Sequence, residues 1–207
     1  MSSVVDNSFD INEDDSTKVK IMIIGDAGVG KTSIIRKYVK NEFTENYLST
    51  IGFDFQKKKL TIGKKVINLC IWDTAGQERY QVMGKSYYNS SEGFIIVYDI
   101  TDPRSFQSIT NWIEQIKESA PKEAKCVLFG NKSDLTNRAI TEEEGKNKAN
   151  EHKMPFYETN CVHGKNLAEG IEYLVKEILN IGKNGELRNK SIGSFSVENK
   201  KKKKGCC

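Results

Sequence analysis

The string Gly25-Asp26-Ala27-Gly28-Val29-Gly30-Lys31-Thr32-Ser33 follows a short apolar run and opens a helical pattern. It fits G-x-x-x-x-G-K-[ST], a loop whose glycines let backbone N–H groups wrap around a β-phosphate at the positive end of the following helix. Lys31 can neutralise β/γ oxygens, and the Thr32 hydroxyl can ligate magnesium. A glycine turn before a helix is the plainer reading, and the position between strand and helix argues against it. Further on, Asp73-Thr74-Ala75-Gly76-Gln77-Glu78 follows an apolar run ending in Trp72. A carboxylate at the tip of a buried strand can hold magnesium through a water, and Gly76 lets a backbone N–H approach a γ-phosphate. A solvated strand end would account for Asp73 but not for the whole string. The third motif is Asn131-Lys132-Ser133-Asp134. A carboxylate there can accept from both the ring N–H and the exocyclic amine of guanine, whereas adenine presents the opposite edge. By itself this motif is usually a surface turn; behind the other two it reads as a base-selecting loop.

These loops need strands to hold them. Val19–Ile24 is a β-branched run bounded by Gly25, and further strand candidates are Phe53–Ile62, Val66–Trp72, Phe94–Asp99, Cys126–Gly130 and Pro155–Thr159. Helical patterns lie between them. Asp102 and Pro103 form an N-cap and first helical position, followed by Phe106, Ile109, Ile113 and Ile116 at helical spacing. Thr141 with Glu144, and Asn166 with Glu169, resemble capping boxes. Leu167, Ile171, Leu174, Val175 and Ile178 make one apolar stripe, best read as core packing. Strands alternating with helices predict an α/β fold with a mostly parallel sheet covered on both faces. Gly63-Lys64-Lys65 is too short for a crossover, so residues 53–72 should form an antiparallel hairpin. The expected organisation is a disordered extension over 1–17, a single domain over 18–180 and a flexible tail over 181–207.

Charge and cysteines narrow the class. The net charge is +4, but Lys200–Lys204 supply five positive charges and leave the remainder at −1. The body is not basic overall, which argues against nucleic acid as a partner. No stretch approaches the roughly 18 apolar residues of a membrane-spanning helix, and the acidic N-terminus is unlike a signal peptide. Of five cysteines, Cys70 and Cys126 sit in apolar runs, Cys161 stands alone, and Cys206 and Cys207 are adjacent. That is no disulfide framework and suits a reducing, cytosolic face.

In order and spacing the three motifs resemble the Ras-like small GTPases, from about Lys18 to Asn180. Within that superfamily the Rab branch is most similar, on Ser49-Thr50-Ile51-Gly52-Phe53-Asp54-Phe55, Trp72 to Arg79, Tyr87-Tyr88, Val97 to Thr101 and Cys206-Cys207. The resemblance implies a six-stranded, mostly parallel sheet with one antiparallel strand, and a GTP phosphohydrolase that binds GTP or GDP with Mg2+. It implies that Thr50 coordinates magnesium alongside Thr32 and Asp73, that Gln77 orients the attacking water with Lys31 as the other catalytic residue, and that Phe43 packs on the guanine edge. Asn131, Lys132, Asn160, Cys161 and Val162 complete the nucleotide contacts. Ile51, Gly52, Phe53, Phe55, Trp72 and Tyr87 would form the surface that effectors read, although Trp72 could equally be sheet packing. No residue is placed as an arginine finger in cis, so hydrolysis should be slow and accelerated by a partner.

The family also implies an exchange factor, an activating protein, effectors, a prenylation escort and a GDP-dissociation inhibitor as partners of a monomer. Cys206 and Cys207 would carry geranylgeranyl groups and place the chain on the cytoplasmic face of an intracellular or plasma membrane, with a cytosolic pool. The competing functions are a nucleotide-binding interaction module with little hydrolysis and a P-loop kinase for a small molecule. The kinase would leave Asp134 and Gln77 without a role. The chain departs from the Rab wording at Asn160-Cys161-Val162, where Ser-Ala-Lys is usual, at Arg79–Lys85, and at Asn89-Ser90-Ser91. Cys161 can still supply a backbone N–H to the guanine carbonyl, but Val162 lacks the lysine that would cover the base.

Overall fold

Six strands fold into one sheet in the order β2-β3-β1-β4-β5-β6. They are β1 (Thr17–Ile24), β2 (Phe53–Ile62), β3 (Lys65–Thr74), β4 (Gly93–Asp99), β5 (Lys125–Asn131) and β6 (Phe156–Glu158). The computed structural model describes residues 17–44, 53–74 and 81–181. Every pairing is parallel except that of β2 with β3, which runs antiparallel through the Gly63-Lys64 turn, as the short connection requires. Gly63 takes φ 61°, the left-handed region that a tight hairpin turn favours.

The helices are α1 (Lys31–Lys40), α2 (Gln81–Ser90), α3 (Pro103–Gln107), α4 (Ile109–Ser119), α5 (Glu142–Glu151) and α6 (Leu167–Ile178). They cover the two faces of the sheet in separate layers. On one face Ile34, Ile35 and Tyr38 of α1 meet Leu167, Ile171, Leu174 and Val175 of α6 over Val19, Ile21, Leu69 and Ile71. On the other, Ile109, Ile113 and Ile116 of α4 pack with Met22, Phe94, Ile96 and Leu128. Burying each such side chain contributes about 1.5–3 kcal/mol, so the apolar stripe of α6 fixes its angle on the sheet. The core reaches past that helix to Ile181, which is fully buried.

Two local expectations are revised. The periodic run from Phe106 to Ile116 forms two helices that meet at Ser108, whose hydroxyl donates to Asp26 and lies 3.1 Å from Arg104 O. Asn166 does precede α6, but at φ 57° and with no capping hydrogen bond; its Nδ2 donates to Glu158 O at 2.7 Å. The Thr141–Glu144 capping box and the Asp102 cap on Arg104 N form as the sequence predicts.

Candidate functional site

The predicted nucleotide-site residues that the structure describes gather at the C-terminal ends of β1, β3 and β5, where a doubly wound sheet offers its crevice. The loop from Gly25 to Gly30 leaves β1 and turns into α1 at Lys31. Its glycines are required for separate reasons. A Cβ on Gly25 would stand 2.2 Å from Val97 O, and one on Gly30, at φ 100°, would stand 2.4 Å from Asn131 Nδ2. The loop therefore lies directly on β4 and on the base-selecting segment.

Lys31 is 5% exposed, and its ammonium donates to Gly25 O and Asp26 O, both at 2.8 Å. Burial pulls its pKa down to about 8, against opposing attraction from Asp73 and Asp26. An ammonium carries three donors, so a further anionic acceptor is the natural complement to the two carbonyls.

Asp73, at the end of β3, is also buried. Thr32 Oγ1 donates to its Oδ2 at 2.6 Å, while Oδ1 is buried without a hydrogen-bond partner among the described residues. Burial raises the Asp73 pKa, opposed by the Thr32 hydrogen bond and the Lys31 charge. An orphaned carboxylate oxygen beside a threonine hydroxyl suits a hard, oxygen-seeking cation. Magnesium keeps several waters and takes only one or two protein carboxylates. That agrees with the lack of any cluster of three or more His, Cys, Asp or Glu metal ligands among the described residues.

The base side is a cavity of about 230 Å³ lined by Gly28, Gly30, Ser33, Phe43, Asp134, Leu135, Cys161 and Val162, among others. Asn131 organises it: its Nδ2 donates to Val29 O at 2.9 Å, and its Oδ1 accepts from Thr159 Oγ1 at 3.2 Å. One buried amide thus ties the phosphate loop to the 159–162 segment. Ser133 N donates to Thr159 O, and the Lys132 ammonium lies 2.6 Å from Asp99 Oδ2. Asn160 Oδ1 accepts from His163 N, Cys161 is buried, and Val162 is 40% exposed at the rim. A larger hollow of about 720 Å³ lies by the start of β5, lined by Ile116, Lys125, Met154 and Tyr173, and holds none of the predicted site residues.

Asp26 takes a different part from the one a phosphate loop suggests. Its carbonyl faces Lys31, but its carboxylate turns away to accept from Ser108 Oγ at 2.7 Å and Trp112 Nε1 at 2.8 Å. The sequence reading missed Ser108 and Trp112, which hold the loop to α4 and keep a negative charge off the phosphate side. Trp112→Phe removes a hydrogen bond to a charged acceptor, which is worth about 1.5–3 kcal/mol. We expect a fall in unfolding free energy near the lower end of that range, together with faster nucleotide release, measured by denaturant titration and fluorescent-nucleotide chase. Arg138 and Glu158 were missed too. The guanidinium pairs with both Glu158 oxygens, Nη2 at 3.1 Å from Oε2, and pins the loop after Asp134 to β6.

Phe55, Trp72 and Tyr87 form a chain of ring contacts, with centroids 5.1 Å and 4.9 Å apart. Trp72 is half-buried, and besides its ring contacts it packs against the apolar cluster that holds Met22, Phe94 and Ile96. Thr50, Ile51, Gly52, Gly76, Gln77, Cys206, Cys207 and the side chain of Phe53 lie outside the described residues.

The sheet order, and a glycine loop passing from its first strand into a helix, define the class as a P-loop protein. The sequence profile of the Ras family matches residues 20–180. Rab-13 of Rattus norvegicus is 42% identical over 161 residues, covering 77% of this chain and 79% of the relative. SEC4 of Saccharomyces cerevisiae is 38% identical over 197 residues and 91% of each chain, and human Rab-15 is 40% identical over 161 residues, covering 77% and 76%. The chain belongs to the Ras family as a Rab-like small GTPase, a GTP hydrolase. Members of this family bind guanine nucleotide with Mg2+. No helix of the described residues is long and apolar enough to cross a membrane.

Proposed function

We propose that this protein is a membrane-tethered switch of vesicle traffic that recruits effectors in its GTP form and is released in its GDP form. The observation that carries the reading is the trio of buried Lys31, half-buried Thr32 and buried Asp73, with one carboxylate oxygen left over. In this reading Thr32, Asp73 and Thr50 hold the Mg2+ shell, and magnesium supplies neutralisation of charge on the β- and γ-phosphate oxygens. The amides of residues 26–31 and the Lys31 ammonium grip the phosphates. Asp134 accepts from the guanine edge, Cys161 N–H donates to its carbonyl, Asn131, Lys132 and Asn160 hold the base loops in place, and Phe43 and Val162 flank the ring. Gln77 orients the water in line with the γ-phosphate, and Gly76 senses that phosphate through its N–H.

The effector surface is Ile51, Gly52, Phe53, Phe55, Trp72 and Tyr87, of which Phe55, Trp72 and Tyr87 offer a half-exposed apolar face. An exchange factor, an activating protein, an escort and a GDP-dissociation inhibitor complete the cycle. The string Lys200–Cys207 supports an anchor in which Cys206 and Cys207 carry prenyl groups. Two chains suit stable attachment because one binds only marginally.

The test of the switch is Thr32→Asn. The asparagine amide cannot replace a hydroxyl donating to Asp73 while also facing a cation, so the magnesium–GTP state should weaken more than the GDP state. Equilibrium binding of both nucleotides, with and without Mg2+, reads this out. Affinities for GTP and GDP equal to those of the native chain would remove Thr32 from its role.

A further inference from the structure

The charge distribution of the folded domain differs from its sum. Without the tail lysines the chain carries −1, yet the strands β1 to β3 hold Lys18, Lys20, Lys57, Lys58, Lys59 and Lys65, with Lys64 in their turn. The pairing register sorts four of them onto one face. Lys57 of β2, Cys70 of β3 and Lys20 of β1 form one row across the sheet, and Lys59, Asn68 and Lys18 form the next. Lys58 points the other way, donating to Tyr38 O against α1.

Strands lie about 4.8 Å apart and alternate residues about 7 Å apart. The four ammonium stems therefore rise from a patch roughly 10 Å by 7 Å, within one Debye length at about 0.1 M salt. All four lysines are exposed, whereas their sequence neighbours Val19, Ile21 and Leu60, and Ile67 and Leu69 on either side of Asn68, are buried on the opposite face. The Cys70 thiol between them feels both Lys57 and Lys20, which oppose the upward push of burial on its pKa. Glu92 brings a carboxylate to the first row, its Oε2 accepting from Lys20 N, while Asp73 is buried in the nucleotide site and Asp54 bonds to Phe55 N and Gln56. The next row up is Phe55, Trp72 and Met22, so the patch adjoins the aromatic face.

We propose that the two lysine rows are a platform for the headgroups of an anionic lipid surface, against which the β1–β3 half of the domain lies. A grid of exposed like charges on a sheet matches a plane of phosphates rather than a single peptide. Ile181, the last described residue, packs in the apolar cluster that holds Val19, Ile62 and Ile67, and Lys200–Lys204 come later in the sequence. This orientation rests on the proposed membrane tether, and it adds a second contact to the tail.

The experiment uses the full chain without lipid, sedimented with phosphatidylcholine vesicles or with vesicles containing about 30 mol% phosphatidylserine. Native protein should partition onto the anionic vesicles and release as salt is raised. Joint substitution of Lys18, Lys20, Lys57 and Lys59 by Gln should lower that partitioning at least about tenfold with the tail intact. Nucleotide content should be unchanged, since none of the four lies in the nucleotide site. Partitioning equal to the native chain would overturn the platform and assign binding to the tail. Binding to soluble polyglutamate that depends on these lysines, without their mattering on vesicles, would overturn it in favour of an acidic protein partner. The tether fails separately: Cys206→Ser with Cys207→Ser would then leave membrane fractionation in cells unchanged.

Discussion

Asp134→Asn is expected to move base preference from guanine toward xanthine, lowering GDP affinity by about 10⁴-fold, because a site that reads hydrogen bonds penalises an edge it cannot match. The carboxylate presents two acceptors to the N1–H and the exocyclic amine of guanine. An asparagine presents one acceptor and one donor, so the guanine amine meets an N–H and both groups go unpaired. Xanthine carries a carbonyl where guanine carries that amine, and the same asparagine can donate to it. The change is local because Asp134 lines the cavity wall without making any of the bonds that fix the loop. Those belong to Asn131, Ser133 and Arg138. Competition of GDP and XDP against a fluorescent guanine nucleotide measures it. Unaltered GDP affinity in a folded variant would mean that the base is read elsewhere.

Lys31→Ala is expected to slow hydrolysis by about 10²–10³, the usual cost of removing one preorganised donor from a developing charge. It should also remove the pH dependence expected from the Lys31 ammonium. Burial holds the Lys31 pKa near about 8 without nucleotide, and bound polyphosphate favours the charged form and carries the pKa upward. Binding therefore takes up a proton above that pH, and nucleotide affinity should fall as pH rises past about 8, by up to about tenfold per pH unit. The alanine variant should bind more weakly and keep only the fall that ionisation of the guanine N1–H causes in both forms over the same window. The stability of the nucleotide-free chain runs the other way. The unfolded lysine titrates near 10.5, so between about 8 and 10.5 the unfolded state binds more protons and folding gains with pH. Titration calorimetry across that range, on both forms, reads both signs.

Much of this site is legible in the sequence because its chemistry depends on short strings. Gly25 to Thr32 must be contiguous to wrap a phosphate, and Asp73 and Asp134 announce themselves by standing at the ends of apolar strands. The legible part stops where contacts join distant segments. Nothing in the spacing of Asp26, Ser108 and Trp112 says that a loop carboxylate turns onto α4, and Trp112 reads there as one more residue of an amphipathic helix. Asn131 reads as part of a base motif, yet its amide also clamps Val29 and Thr159, which only the sheet order brings together. Asn166 has the right type for a cap, and tertiary demand from Glu158 O takes its side chain instead. Charge is the clearest case. A sum over the chain assigns basicity to the tail, whereas the register of three strands gathers Lys18, Lys20, Lys57 and Lys59 on one face.

The central claim is that this site holds GTP and cuts it slowly with Gln77 in place. The direct measurement is single-turnover conversion of preloaded GTP to GDP by the full chain, started with Mg2+, beside Gln77→Leu and a magnesium-free control. The account predicts slow, magnesium-dependent conversion by the native chain and a large loss in the variant, with GTP affinity retained in both. Hydrolysis at the same rate in the variant, or without magnesium, would contradict it.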